Sequence, residues 1–456
     1  MHDKRRILSW IDDLPELVKH DFHPSPDTAR KRKIAPSCCL ASPPASFERT
    51  ESNSNMTSTP KRRRVGSVGT HLDPDITPRP QARSLASSSA SNSQATSETG
   101  SVARSSSSKR QMMSLRLGKT GVEYQLLDGN TVPGIAKTLF NTITEIGRTH
   151  DIIPYNLQQT IAQKLENRNR EEDIQKWRYC FKPEGTPDTL PGRIPSFEEI
   201  ERVLRAAREC EKFNHEEAGW NSEVHLHLLN TIFRDPITGE WNDFNAISCT
   251  TARPHREFKP ILSTAKMIDL CIYASLDNNK ELEAAVIDFC NRAPTLSINH
   301  TDFQPIQFRP IILSIETKKP DASIQQAQLQ IGIWHAAQWA FLQWAVGEKL
   351  LEKRLSQGLG EGTIDKEQEE FKREKIAALS KLGFIPGIIV HGSQWLLVLS
   401  TYDNGKTTLW SGWPFGTTKG EMEIYAIIAG VRELTAWARE TYLPWFKENI
   451  LTLAPK

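Results

Sequence analysis

Two short apolar runs, each interrupted by charge, constrain this chain more than any other feature. The first is Lys266-Met267-Ile268-Asp269-Leu270-Cys271-Ile272-Tyr273, and the second is Ile311-Ile312-Leu313-Ser314-Ile315-Glu316-Thr317-Lys318. Short runs of this composition form strands covered on both faces of a sheet. An ionised carboxylate inside such a strand costs free energy unless an opposite charge or several donors meet it. Strand alternation puts Met267, Asp269 and Cys271 on one face of the first strand. It puts Glu316 and Lys318 together on one face of the second, about 6–7 Å apart at Cβ, with Thr317 opposite.

The surrounding pattern alternates helices and strands. A helix is expected from Val132 to Arg148, with Ile135, Leu139, Ile143 and Ile146 along one stripe, and another at 155–166. Ser196-Phe197-Glu198-Glu199 is a capping box that opens a helix to about Lys212. The next helix starts near Glu217 and runs past Leu229. A helix at Glu281–Arg292 separates the two strands, and a long one follows from Ala322 to about Leu355. Asp365–Lys375 reads as the solvated face of a helix. Residues 384–401 predict a hairpin turning at His391-Gly392-Ser393, with a shorter strand at Thr407–Trp410. Met422 to about Tyr442 closes the chain as a helix stopped by Pro444. The fold class is α/β (α+β), with a mixed central sheet flanked by helices.

Residues 1–112 are of another kind. Among residues 1–110 there are three aromatics (Trp10, Phe22, Phe47), and Ser fills twelve of the 25 positions from Ser84 to Ser108. Such a segment buries too little apolar surface to offset its ordering entropy and is expected to be disordered. It carries 18 Lys and Arg against 11 Asp and Glu, a net of +7, which leaves 39 against 44, a net of −5, for the rest. A basic tail on a mildly acidic body suits an anionic partner or an import receptor. Arg30-Lys31-Arg32-Lys33 and Lys61-Arg62-Arg63-Arg64 point to nuclear import, or are simply solvated charge. Residues 7–17 form an amphipathic island, either a transient helix or a peptide that docks on a protein partner. The globular domain is expected at 113–456. Seven Cys, none in a CxxC, fit a reduced intracellular chain without a zinc cage. No signal peptide, membrane span or phosphate-binding glycine loop is present in the pattern. His225, His227, His335 and His391 read as boundary or loop residues, and Trp334, Trp339 and Trp344 as packing.

The candidate chemistry lies in four polar residues. On the helix near residue 223, Trp220, Val224, Leu228 and Ile232 make the buried stripe, and Glu223, His227 and Asn230 share the neighbouring face. Glu223 alone could be an ordinary boundary glutamate. Asp269 alone could be satisfied by backbone donors, and Glu316 with Lys318 could be an edge salt bridge. Together they form a set. A phosphodiester resists attack because it is already anionic. A hard divalent cation neutralises that charge and activates water. Mg²⁺ takes oxygen ligands, typically one or two carboxylates plus water and phosphate.

A helix Glu, a strand Asp, then Glu-x-Lys followed by a helix resembles the PD-(D/E)XK nuclease superfamily. More narrowly it resembles fungal nuclease-like members, with a basic N-terminal region, the Trp220-Asn221-Ser222-Glu223 helix, the Ile315-Glu316-Thr317-Lys318 strand and the Gln-rich helix 323–334. The likeness spans roughly residues 115–450. No Pro precedes Asp269, and the stretch between Asp269 and Glu316 must accommodate an extra helix. The resemblance implies a restriction-endonuclease-like sheet. It implies a metal-dependent nuclease that hydrolyses phosphodiester bonds, with DNA as the substrate, by metal-activated water. Asp269 and Glu316 would hold Mg²⁺ or Mn²⁺, Lys318 would be the catalytic lysine, Glu223 the helix acid and Gln328 a substrate-binding residue. The alternatives are a catalytically inactive DNA- or protein-binding module on the same fold, and a hydrolase of small phosphoesters.

Overall fold

The computed structural model describes residues 107–260, 267–276, 279–356 and 364–452. The island at 7–17, both basic clusters and nearly all of the serine-rich stretch lie outside the described residues, as does Lys266.

The first element is helix α1 (Ser108–Leu117), and it leads into a strand, β1 (Val122–Leu126), that the sequence pattern did not predict. Gly121 makes the join. A Cβ there would sit 1.8 Å from the Leu115 carbonyl oxygen, so only glycine lets the chain double back so tightly. Helix α2 (Lys137–Gly147) starts later than the apolar spacing predicts, after a 3-10 turn at Gly134–Ala136 that leaves Ile135 exposed, α3 (Gln158–Glu166) stands close to where it was expected, and a short α4 (Glu171–Trp177) follows. The capping box forms as expected. Ser196 accepts from the Glu199 N–H, Glu199 reaches back to the Ser196 N–H, and α5 (Phe197–Lys212) begins there.

The helix expected from Glu217 is broken in two. A π turn at Asn221–His225 separates α6 (Glu217–Trp220) from α7 (Leu226–Phe233). Next come β2 (Phe244–Ser248), also not predicted, then β3 (Leu270–Ala274), α8 (Lys280–Arg292) and β4 (Ile311–Lys318). Two helices, α9 (Ile324–Ser356) and α10 (Ile364–Leu382), precede three strands: β5 (Ile385–His391), β6 (Gln394–Asp403) and β7 (Lys406–Thr417). Strand β7 extends well beyond the short strand expected. Pro444 does not stop the closing helix. A π turn at Ala438–Tyr442 links α11 (Glu421–Trp437) to α12 (Leu443–Asn449), and Pro444 lies in the first turn of α12, where its missing N–H leaves no bond unmade.

The seven strands form one mixed sheet in the order β1-β7-β6-β5-β4-β3-β2. The β1–β7 and β4–β5 pairs are parallel and the remaining neighbours antiparallel. A parallel β4–β5 pair needs a long crossover, and α9 and α10 supply it. Helices α2, α7 and α11 pack on one face of the sheet, with α5 against α7 and α11, while α9 runs across the other face. The α9 side is tied down by polar contacts: Trp334 Nε1 donates to Ser314 in β4, and Trp339 Nε1 to Ser400 in β6. The chain is thus α/β, a mixed sheet flanked by helices on both sides. His225 and His335 lie in the core, not at its boundary, and burial lowers the pKa of each to about 3, so both are neutral. Among the described residues no helix is long and apolar enough to cross a membrane.

Candidate active site

Antiparallel register brings the two charged strands together at one end of the sheet. Leu270 pairs with Ile315, so Asp269, just before β3, lies across from Glu316. Residues opposed in this way have Cβ atoms about 5 Å apart. Ser314, Glu316 and Lys318 alternate onto the α9 face of β4, as the Trp334–Ser314 hydrogen bond shows for the first of them. Lys318 Nζ lies 2.9 Å from Glu316 Oε1, with Glu316 fully buried and Lys318 7% exposed. Asp269 Oδ2 accepts from the Thr317 N–H at 2.8 Å and from the Thr317 hydroxyl at 3.0 Å. Thr317, opposite to Glu316 in the pleat, therefore acts as a clamp on the neighbouring strand's carboxylate.

The helical acid that reaches this cluster is Glu217. Its carboxylate oxygens lie 3.1 and 3.2 Å from Lys318 Nζ. One turn on, Asn221 hydrogen-bonds Asp269. Glu217 and Asn221 are four residues apart and share a face. Glu223 is not brought to Lys318: it is exposed, and its neighbour within hydrogen-bond reach is the Ser222 hydroxyl at 3.5 Å. The prediction for Glu223 assumed unbroken α-helical spacing. The π turn resets the phase at Asn221, and the face that meets the strands ends with 217 and 221.

Gln328 is also placed away from the cluster. Its amide donates to Ser411 in β7, on the far side of β5 and β6. Two residues along α9, Gln330 donates instead to the Met267 carbonyl at 3.3 Å, two residues before Asp269. Sequence reasoning missed Glu217, Asn221, Thr317 and Gln330. Glu217 and Asn221 flank Trp220, the first residue of the buried stripe, and that adjacency was the available signal.

The electrostatics of the cluster are unusual for a folded core. Burial, and next the Asp269 charge, push the Glu316 pKa well above its ordinary value, although Lys318 opposes this. Burial also raises the Asp269 pKa against the pull of Lys318, Thr317 and Asn221. For Lys318, burial acts to lower the pKa, but Glu316, Glu217 and Asp269 outweigh it and raise it. The lysine is thus a fixed cation at neutral pH. With every group ionised, three carboxylates face one ammonium, a net of −2. Both Glu316 oxygens and Asn221 Oδ1 are buried without a hydrogen-bond partner, the Lys318 approach to Oε1 supplying charge rather than an aligned bond. Buried acceptors left in this state are rare in native structures and call for a cation or water.

These residues fit a hard divalent ion. The Asp269 and Glu316 carboxylates and the Asn221 amide oxygen are all oxygen donors, and a double positive charge would balance the cluster. Among the described residues no three His, Cys, Asp or Glu side chains gather into a cage that would hold a metal unaided. The donor set is therefore of the sparse kind that leaves coordination positions for water and phosphate.

A mixed sheet, an Asp just before one strand, a Glu-x-Lys strand and a helical acid together match a nuclease-type fold. The family model of the PD-(D/E)XK nuclease superfamily matches residues 164–443, more than half of the chain, and spans all of the residues above. The chain belongs to this superfamily. No curated protein and no solved structure matches it.

Proposed function

We propose that this chain is a divalent-metal-dependent nuclease that cleaves phosphodiester bonds in DNA, working in the nucleus. The observation that carries the reading is Glu316, a fully buried carboxylate beside Asp269, with one oxygen ion-paired to Lys318 at 2.9 Å and neither oxygen in an aligned hydrogen bond. Bound by Asp269 and Glu316, Mg²⁺ or Mn²⁺ would neutralise phosphate charge and activate water. Thr317 and Asn221 hold the Asp269 carboxylate in place. Lys318, permanently charged, donates to a phosphate oxygen or orients the attacking water, and its raised pKa argues against a general-base role. Glu217 fixes the ammonium and takes the part first expected of Glu223. The basic clusters at 30–33 and 61–64 support an import receptor as partner.

The test is cleavage of single- and double-stranded DNA and of RNA by the purified full chain with Mg²⁺ or Mn²⁺. Asp269→Ala and Lys318→Ala should each lower the rate by at least about 10²-fold. Glu217→Gln should impair cleavage more than Glu223→Gln. DNA binding without cleavage under every metal condition would make the chain a binding module, and cleavage surviving both alanine variants would place the chemistry elsewhere.

A further inference from the structure

Beside the proposed metal site lies a pair of thiols that the nuclease chemistry does not use. Cys271 is in β3, two residues after Asp269, and Cys249 follows edge strand β2. The Cys249 N–H donates to the Asp269 carbonyl at 2.7 Å, so the two segments are in register at this point. Both side chains are fully buried and both are free thiols. Their sulfurs are 3.0 Å apart. The Cys249 thiol donates to Cys271 Sγ, and the two sulfurs are about 1 Å beyond bonding distance. Both belong to one buried apolar cluster with Ala252, Ile268, Ile306 and Trp334.

We propose that Cys249 and Cys271 are a redox-active pair that closes into a reversible disulfide, stapling the edge strand to β3 beside Asp269. Hydrogen peroxide, small and uncharged, is the class of oxidant that can enter such a cluster. One thiol takes an oxygen atom to become a sulfenic acid, releasing water. The second thiol attacks that sulfur, an S–S bond forms, and a second water leaves. The sum is two thiols and one peroxide to one disulfide and two waters. A dithiol reductant reverses it through a mixed disulfide. The first step waits on opening of the sheet edge, where β2 has no outer neighbour. The second is fast because the sulfurs are already held in place. The bond would close a loop containing residues 250–270 and so fix the segment that carries Asp269.

The inference about the thiols stands on their geometry alone, and only its effect on catalysis rests on the nuclease reading. The full chain is treated with hydrogen peroxide, alkylated, and mapped by mass spectrometry without reduction. The expected result is a linked peptide joining Cys249 to Cys271, lost on treatment with dithiothreitol. The oxidised protein should also show a Tm several degrees above the reduced protein, a rise absent from Cys249→Ala and Cys271→Ala. Should either variant fail to fold, the mapping of the unaltered chain still decides. Cys249 and Cys271 recovered as separately alkylated thiols after the other cysteines have oxidised would overturn the proposal. Because neither readout involves cleavage, failure here leaves the nuclease reading intact, and the reverse also holds.

Discussion

At the scale of single residues, the candidate site is a place where the fold tolerates an electrostatic penalty. Glu316 is a charged side chain, yet it is fully buried next to a second carboxylate. Its raised pKa means that the native state disfavours the ionised form more than the unfolded chain does. The sign follows. Below the ordinary glutamate pKa of about 4.3 both states hold the proton and there is no penalty. As pH rises towards the elevated native value, the unfolded chain ionises first and stability is lost. Glu316→Gln removes the charge while keeping the shape. We expect it to raise the stability of the metal-free protein at pH 7.5 by on the order of 1 kcal/mol while abolishing cleavage, the trade typical of a functional position. Urea unfolding at pH 4 and pH 7.5 checks this: the gain should be present at the higher pH and close to zero at the lower. A variant less stable than the parent at both would show that Glu316 is a structural ion-pair partner of Lys318 and nothing more.

At the scale of elements, what the sequence made legible depended on whether local periodicity survived. Asp269, Glu316 and Lys318 could be singled out because charge within an apolar run is visible in any register, although the strand expected around Asp269 begins only at Leu270. The helical partner could not, because the π turn at Asn221–His225 shifts every later position on that helix and no composition signal marks it. Strand β2 was hidden by Asn245 near its start, a poor strand former. Asn245 is satisfied there by Arg234 and donates to the Tyr273 hydroxyl on β3. The β6–β7 hairpin did carry a signal, Asn404-Gly405. Both residues have positive φ, at 47° and 84°, as a tight two-residue turn demands. Helix α5 was legible from its cap, and the cap is where its prediction belongs. Burial alone would raise the Glu199 pKa, but Arg193 and the Ser196 N–H hold it below the usual range. A depressed native pKa adds stability above about pH 4.3 that disappears as pH falls through the native value. Ser196→Ala should cost about 1 kcal/mol at neutral pH. Glu199→Gln should cost stability at pH 7 but little at pH 3, and guanidinium titrations at the two pH values measure the difference.

At the scale of the whole molecule, the sheet brings distant parts of the chain to one point. Glu217 and Asn221 come from one side, Asp269 from just before β3, and Glu316 and Lys318 from the end of β4, with α9 covering the buried face. A site assembled from such separate segments, with three carboxyl groups around one ammonium and buried carboxyl oxygens outside any aligned hydrogen bond, is one that a bound cation should tighten. A ligand that binds only the native state stabilises it by RT ln(1 + [L]/Kd), about 2.7 kcal/mol at a hundredfold excess over Kd. For a domain of this size that corresponds to a Tm rise of roughly 4 °C. Mn²⁺ or Mg²⁺ should therefore raise the Tm of the full chain, measured by calorimetry at constant ionic strength, and a chelator should restore the original value. Asp269→Ala and Glu316→Gln should lose most of that response, and Glu316→Gln should itself melt no lower than the metal-free parent. Glu223→Gln, altering an exposed carboxylate away from the cluster, should keep the response in full. An equal cation response in all four proteins would mean that the ion binds somewhere other than between β3 and β4, and the case for metal-assisted cleavage at this end of the sheet would fail with it.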